Sequence, residues 1–211
     1  GSIPMTLKIN FSPEDGKLLG AQVVGMDGAD KRLEMLAAVI RTGGSVQDLM
    51  ELDQAYAPPF SSAKDPVNMA GFVADNMLSG KVKMISWREL KDMDRSKVML
   101  VDVRTAEEFA MGSIEGAVNI SLDGSRGEYQ KLPKDRTIVV FCAIGLRGYI
   151  AARVLMQHGY DVVNLNGGYR TYSTAMAEQC NPIKYSEPEP KKPVELKAPE
   201  KVVEKKSFAI D

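Results

Sequence analysis

The sequence is poor in the residues that build disulfide frameworks, metal sites and Cys–His catalytic pairs. It contains two cysteines and one histidine among 211 residues, with no CxxC pair and no Cys/His cluster at metal-ligand spacing. The histidine, His158, lies 16 residues after Cys142 at the end of an expected helix, which is out of reach at about 1.5 Å of rise per residue. We therefore expect no metal site and interpret His158 as a surface or capping residue.

Charge and hydrophobic runs exclude further classes of protein. Twenty-seven basic and 28 acidic residues leave a formal net charge of −1, which argues against nucleic acid as a partner. No apolar run approaches the about 20 residues of a membrane-spanning helix, and no charged-then-apolar leader opens the sequence. These two observations predict no membrane partner and a cytoplasmic location. No GxGxxG or GxxxxGK[ST] motif occurs, so we expect no nucleotide cofactor in this chain.

One stretch, residues 137–158, carries the chemistry that the sequence does contain. Thr137–Phe141 is short, β-branched and apolar without polar alternation, as in a strand buried on both faces of a parallel sheet. After the segment CAIGLRG, apolar residues recur at helical spacing up to Gly159. Cys142 is thus expected at the carboxyl end of a strand, where open α/β sheets bind ligands.

The segment after Cys142 favours a thiolate over a thiol. N–H groups of a tight glycine-containing loop and the N-terminus of the following helix both stabilise negative charge, and Arg147 adds a full positive charge. Gly145 and Gly148 are expected to let the backbone curl without Cβ clashes. Four residues separate Cys142 from Arg147, whereas cysteine phosphatases use five to surround a phosphate. The shorter loop fits one sulfur atom carried as a persulfide.

The order of motifs around this loop resembles that of single-domain rhodaneses, the sulfurtransferases. The segments with this resemblance span roughly residues 82–178 and are VDVR (101–104) with EEF (107–109), GSIEGAVNI (112–120), CAIGLRG (142–148) and LNGG (165–168). The resemblance to rhodaneses implies that Cys142 and Arg147 are catalytic. The expected persulfide cradle consists of Ala143, Ile144, Gly145, Leu146 and Gly148. Ser113 and Glu115 stand where the family usually has His and Pro.

Two pairs of charged residues are interpreted as structural. Asp102 and Arg104 project from the end of the predicted strand 98–103, so we expect them to support the site through an ion pair or hydrogen bonds. Glu107 and Glu108 begin a helix, where negative charge suits the helix dipole. Cys180 is either a resolving partner for Cys142 or a bystander thiol, and the sequence favours the bystander.

The first eighty residues predict a small α+β unit. Residues 5–11 alternate apolar and polar as a strand does, a turn follows at 12–16, and residues 17–24 form the second strand of a hairpin. A helix is expected over 29–40 with Leu33, Leu36, Ala37 and Ile40 on its buried stripe. Ser45 and Asp48 resemble a capping box for a short helix, and 67–78 is a last helix. The structureless segment between these two helices is long enough to indicate function or an interface.

Two stretches of this unit, GKLLGAQVVG (16–25) and YAPPFSSAKDPVNMAG (56–71), resemble the dimerisation domain of flavin- and nicotinamide-dependent disulfide reductases. The match is to the coenzyme A disulfide reductase and NADH oxidase branch. The resemblance implies a homodimer through residues 1–80. It also implies that Tyr56, with Phe60, belongs to a loop that reaches the partner subunit, although both aromatic residues equally suit simple interface packing. FAD and NAD(P)H are expected only in a larger parent enzyme whose flavin and nicotinamide domains precede this segment.

We therefore expect an α+β dimerisation domain (1–80) followed by an α/β rhodanese domain (81–180) with a parallel sheet and flanking helices. Residues 181–206, rich in Pro, Lys and Glu, predict a disordered linker, and 207–211 resemble the start of a sulfur-carrier domain. The expected activity is sulfur transfer from a sulfane donor through Cys142 to a thiol acceptor such as coenzyme A or a sulfur-carrier protein. The alternative is a non-catalytic dimerisation and interaction module.

Overall fold

The chain forms an antiparallel hairpin unit followed by a five-stranded parallel sheet, in a computed structural model that describes residues 3–58, 61–123 and 127–180. A short 3₁₀ turn covers Glu128–Lys131. The remaining elements, in chain order, are β1 Met5–Phe11, β2 Leu18–Gly25, α1 Ala29–Arg41, α2 Val46–Glu51, α3 Pro66–Leu78, β3 Met84–Ile85, α4 Trp87–Asp92, β4 Val98–Asp102, α5 Ala106–Ala110, β5 Val118–Asn119, β6 Thr137–Phe141, α6 Leu146–Gln157, β7 Val162–Leu165 and α7 Gly168–Cys180.

The predicted hairpin is confirmed, and it covers a small core made by three helices. β1 pairs antiparallel with β2, and along β1 the residues alternate between half-buried and exposed, which is the two-residue period of a sheet with one solvent face. Leu18 of β2 packs with Leu36 of α1, Leu49 of α2 and Val67 of α3, all of them buried. This cluster is the hydrophobic core of the first unit.

The buried stripe predicted for α1 is wrong in part. Leu36 is fully buried and Ile40 is half-buried as expected, but Leu33 is 44% exposed and Ala37 is exposed as well. The Arg32 side of α1 faces inward instead, and its guanidinium forms an ion pair with Asp65 at 2.7 Å. The face that α1 buries therefore includes a partner that lies far away in sequence.

The segment between α2 and α3, which carries Tyr56, is held at both ends by Asn68. This buried side chain donates from Nδ2 to the carbonyls of Leu49 and Leu52, each at 3.0 Å. Its Oδ1 accepts from the amide of Asp65 at 3.1 Å and from Gln54 Nε2 at 3.2 Å. Because all four of these hydrogen bonds converge on one buried amide, the two ends of the segment are fixed relative to α3.

The second unit is the predicted α/β fold. Its five strands are all parallel and lie in the order β3-β7-β6-β4-β5, so that β6 is central. Successive residues of β6 face opposite sides. Phe141 packs in the layer that contains Leu90 of α4 and Tyr172 of α7, whereas Cys142 packs with Ala151 of α6 on the other side. The alternation of the strand therefore directs the Cys142 side chain toward α6.

The two units contact each other through α3 and α6. Arg153 of α6 donates to the carbonyl of Lys81 at 2.6 Å, and the Tyr149 hydroxyl donates to Asn76 Oδ1 at 3.5 Å. Met77 also packs against the cluster that contains Cys142. The helix that follows the cysteine is thus anchored to the end of the first unit.

Several sequence predictions fall outside the described residues. These are Phe60, the side chain of Cys180, the linker 181–206 and the segment 207–211. Within the described ranges, no helix has the length and apolar character needed to cross a bilayer. The same ranges contain no group of three or more His, Cys, Asp or Glu side chains placed to hold a metal ion.

Candidate active site

Cys142 lies directly after β6 at the carboxyl edge of the sheet. Its thiol accepts a hydrogen bond from the amide of Gly145, with N and Sγ 3.1 Å apart, and the residue is only 1% exposed. Gly145 has a φ of 137°, a conformation that L side chains rarely adopt. The chain turns here from strand to helix, so that Sγ faces the N-terminal end of α6, where backbone amides favour an anion.

The predicted loop from Cys142 to Gly148 is shorter in the structure. Leu146, Arg147 and Gly148 belong to the first turn of α6 because the amide of Tyr149 already donates to the carbonyl of Gly145 at 2.8 Å. Gly148 also serves a different purpose from the one expected. It is not needed for curling the backbone; a Cβ at this position would overlap the Oδ1 atom of Asn164.

Two carbonyls of the turn accept hydrogen bonds from backbone amides at the N-terminus of α7. Tyr169 N donates to the carbonyl of Cys142 at 2.8 Å, and Arg170 N donates to that of Ala143 at 3.0 Å. Gly168 permits this close approach, because a Cβ there would lie 2.8 Å from the carbonyl carbon of Ala143. The N–H and C=O of a trans peptide point in opposite directions. The amides of Ala143 and Ile144 therefore point away from α7.

Asn164, a polar residue within the buried strand β7, binds one more carbonyl of the turn, that of Gly145. Its Nδ2 donates to the carbonyl of Gly145 at 3.2 Å, and the side chain is fully buried. Its Oδ1 has no hydrogen-bond partner in the part of the chain that the structure describes. Sequence analysis missed this residue, although an asparagine inside the otherwise apolar run VVNL is a signal that could have identified it.

Arg147, the predicted catalytic cation, forms a two-pronged ion pair with Glu108. Its Nη1 and Nη2 donate to the two carboxylate oxygens at 2.6 and 2.8 Å. Glu108 is in turn the third residue of α5, where its carboxylate accepts from the amide of Thr105 at 3.1 Å and completes a capping box. The sequence indicated only that Glu108 begins a helix.

This pair shifts the titration of both side chains. The hydrogen bonds from Arg147 and, to a smaller extent, from the Thr105 amide lower the pKa of Glu108 from 4.5 to about 2. Glu108 is the main cause that raises the pKa of Arg147, and Cys142 contributes in the same direction. Both groups are therefore charged at neutral pH, and the guanidinium belongs to the first turn of α6, the helix end that the thiol faces.

Asp102 and Arg104 form the buried ion pair that the sequence indicated as a possibility. Arg104 Nη2 and Asp102 Oδ2 are 2.6 Å apart, and the same arginine donates to the carbonyl of Gly112 at 2.7 Å. The Asp102 hydrogen bond is the largest cause of the raised pKa of Arg104. The guanidinium also lies over the ring of Tyr169, 4.4 Å from its centroid, and so supports the residue whose amide holds the Cys142 carbonyl.

Ser113, which stands where rhodaneses usually have histidine, joins this network. Its hydroxyl donates to Asp102 Oδ2 at 2.7 Å. The serine therefore adds a hydrogen bond to a buried carboxylate. Glu115 is exposed beyond it.

The turn exposes two apolar side chains beside its ion pair. Ile144 and Leu146, two of the predicted cradle residues, are 59% and 64% exposed. Met111, which follows α5, is exposed as well. Tyr56 is 55% exposed and belongs to the first unit, in the segment between α2 and α3.

Comparison with known proteins finds two family matches in this chain. Residues 86–175 match the family model of the rhodanese-like domain, and residues 3–67 match that of the pyridine nucleotide-disulphide oxidoreductase dimerisation domain. The chain joins these two families' domains in one polypeptide. The match to the dimerisation domain contains the hairpin, α1 and α2, and the match to the rhodanese-like domain contains the strands β4 to β7 with Cys142.

Three relatives contain one or both domains. The coenzyme A disulfide reductase of Staphylococcus epidermidis is 40% identical over 74 residues, which are 35% of this chain and 17% of that protein. The crystal structure of reduced Bacillus anthracis CoADR-RHD matches with a TM-score of 0.80 and 43% identity, over 83% of this chain and 32% of that one. A NAD-dependent persulfide reductase from A. fulgidus matches with a TM-score of 0.71 and 36% identity, over 80% and 30%. The chain thus spans a third or less of each of these relatives.

Proposed function

We propose that the rhodanese domain is a sulfurtransferase that carries sulfane sulfur on Cys142. The observation that carries this proposal is the Gly145 amide directed at Sγ from the turn at the end of β6. Backbone N–H groups placed in this way stabilise an anionic sulfur without a cost of reorganisation during the reaction. The site thus suits a thiolate and the terminal anion of a persulfide.

The reaction has two balanced steps. The Cys142 thiolate attacks the outer sulfur of a donor, either a persulfide R–S–S⁻ or thiosulfate. The donor's S–S bond breaks, and its electron pair leaves with the thiolate R–S⁻ or with sulfite. An acceptor thiolate then attacks the terminal sulfur of the resulting Cys142 persulfide and regenerates the Cys142 thiolate. No net oxidation occurs in either step, so the transfer needs no oxidant or reductant. The amides of residues 143 to 148 stabilise the terminal anion, and Arg147 lies beside it.

The supporting residues act through the backbone of the turn. Asp102 and Arg104 hold Tyr169 beneath the guanidinium, and the amide of Tyr169 holds the carbonyl of Cys142. Ala143, Ile144, Gly145, Leu146 and Gly148 form the cradle. Four residues between Cys142 and Arg147 leave less room than a phosphatase needs for phosphate.

We also propose that this sulfurtransferase works within a coenzyme A disulfide or persulfide reductase. The matched relatives bear these names, and the two domains occur together in the B. anthracis protein over 83% of this chain. The parent enzyme would use FAD and NAD(P)H. The described residues offer no glycine-rich strand–helix turn of the dinucleotide-binding kind, so they do not fit either cofactor and the chemistry proposed for this chain runs on Cys142 alone.

The proposed partners follow from the same relatives. Residues 1–80 form a homodimer, with exposed Tyr56 and with Phe60 in the segment that reaches the second subunit. Coenzyme A and a sulfur-carrier protein are the candidate thiol acceptors. A cytoplasmic location remains a prediction of the sequence.

One observation favours the alternative, a binding module without turnover. Cys142 is 1% exposed, and a thiol that no donor reaches would leave the domain only an interaction role. Against it, the Gly145 amide is directed at the Cys142 thiol, and the segment keeps both Cys142 and Arg147, which supports transfer chemistry.

Mass spectrometry of the intact chain separates the two. After incubation with thiosulfate or an organic persulfide, we expect the mass of one added sulfur atom on the wild type and on Cys180→Ser, and none on Cys142→Ser. Alkylation of unfolded protein, which exposes every thiol, confirms that Cys142 is reduced and available in the wild type and in Cys180→Ser. Absence of the adduct with every donor, in a chain whose Cys142 is reduced, removes the sulfurtransferase and leaves the binding module.

A further inference from the structure

Glu108 binds the side of the Arg147 guanidinium at which a bidentate anion would bind. Both terminal nitrogens of Arg147 donate to the carboxylate, at 2.6 and 2.8 Å. The two side chains are 30% and 28% exposed, so the pair lies at the mouth of the site and is not in the core. A donor that approaches Cys142 therefore meets a neutral pair instead of a free cation.

Glu108 is placed for this role independently of Arg147. Its carboxylate accepts from the Thr105 amide at 3.1 Å, and its own amide donates to Thr105 Oγ1 at 3.3 Å. This capping box fixes the side chain at the first turn of α5, where the helix dipole favours its negative charge. The low pKa of Glu108 agrees with a carboxylate that stays charged throughout the neutral range.

Neither the turn nor α5 adds a second cation beside Arg147. Arg147 is the only basic residue between Cys142 and Gly148. Arg104 is nearly fully buried and is paired with Asp102. Glu107 adds a second exposed carboxylate on the turn that carries Glu108.

We propose that Glu108 is a positioning residue that sets donor selectivity, because it neutralises Arg147 and so disfavours small dianions such as thiosulfate relative to organic persulfides, which carry a single negative charge. The proposal rests on the sulfurtransferase function given above. The exposed Ile144 and Leu146 beside the turn suit the same class of donor, since they offer apolar contact to a carbon chain. Freed from Glu108, the guanidinium would bind two oxygens of thiosulfate in its fork.

The test compares Glu108→Gln with Glu107→Gln. Glutamine retains an oxygen that accepts from the Thr105 amide, so the capping box is kept while the charge is lost. Glu107→Gln removes the same charge one residue away, without touching Arg147. The measured quantity is the second-order rate constant for loading one sulfur onto Cys142, followed by mass spectrometry with thiosulfate and with the persulfide of 2-mercaptoethanol.

We expect Glu108→Gln to raise the thiosulfate rate constant about tenfold, which corresponds to about 1.4 kcal/mol, and to change that of the singly charged persulfide by less than about threefold. The gain should shrink at about 1 M salt, where screening acts over about 3 Å. Glu107→Gln should leave the ratio of the two rate constants within about threefold of the wild type. Glu108→Ala provides a second variant if the glutamine variant does not fold.

The outcomes are distinguishable. An unchanged ratio in both Glu108 variants, an equal rise for both donors, or the same rise in Glu107→Gln overturns the selectivity role while sulfur transfer itself stands. A wild-type chain that loads sulfur from neither donor overturns the proposed function, and this inference with it.

Discussion

Replacing Asn164 by leucine should separate the stability of the fold from the reactivity of Cys142. The change removes the hydrogen bond from Nδ2 to the carbonyl of Gly145, 3.2 Å long, in a fully buried place. A typical net contribution of one such bond is about 1 kcal/mol. The acceptor is not orphaned, because the amide of Tyr149 donates to the same carbonyl at 2.8 Å.

The same replacement removes an unfavourable group. Asn164 Oδ1 is buried without a partner among the described residues, and such an atom costs about 1–3 kcal/mol. Leucine has nearly the same shape and no polar atom, so the two effects offset each other. We expect the free energy of unfolding to stay within about 1 kcal/mol of the wild type, or to rise slightly.

Reactivity should nevertheless fall. Without Nδ2, one of the constraints on the Gly145 carbonyl is lost, and the peptide groups on either side of Gly145 are less well fixed toward the sulfur. We expect sulfur loading of Cys142 to slow by about tenfold, and the pH at which Cys142 is half-maximally alkylated by iodoacetamide to rise. A purely structural role would lower the urea midpoint without moving that pH.

Asn164→Asp is the matched control. It puts a carboxylate oxygen in place of Nδ2 against the Gly145 carbonyl and buries a charge, which should destabilise the fold by about 3 kcal/mol or more. A leucine variant that loads sulfur at the wild-type rate with an unchanged pH profile, or one that loses about 3 kcal/mol of stability, would refute the role assigned to the Asn164 amide.

Three further predictions concern stability. Gly148→Ala should destabilise by about 1–3 kcal/mol in urea titrations, because the new Cβ overlaps Asn164 Oδ1; a gain of about 1 kcal/mol, the usual effect of alanine in a helix, would contradict this contact. Asp65→Ala should cost about 3–5 kcal/mol, since it leaves Arg32 without its partner and α3 without its N-cap; Lys81→Ala, which breaks the exposed pair with Asp75, should cost less than about 1 kcal/mol, and equal losses would show that burial is not the cause. The pKa of Glu108 is lowered from 4.5 to about 2 on folding, so its stabilising effect is complete above pH 4.5 and is lost as the pH falls toward 2. The difference in unfolding free energy between wild type and Glu108→Gln should therefore shrink between pH 5 and pH 2, and a constant difference over that range would show that the carboxylate is not responsible.

Local patterns predicted much of the secondary structure because the interactions that fix it are close in sequence. The alternation in residues 5–11 and the turn at 12–16 define the hairpin. Ser86 with Glu89 and Ser45 with Asp48 begin their helices through contacts three residues apart. The apolar run of β6 and the glycine at 159 bracket α6 in the same way.

The sequence alone determined the two-unit order, the parallel sheet and the place of Cys142 at a strand end, since periodicity, caps and motif spacing are properties of neighbouring residues. The tertiary structure decided which groups meet that cysteine. Glu108 reaches Arg147 across 39 positions, and Asn164 reaches the Gly145 carbonyl across 19. Only the packing of α5, β7 and α7 around the end of β6 brings them together. No local pattern encodes such contacts, because a side chain's partner depends on where separate elements dock, and that depends on the whole core.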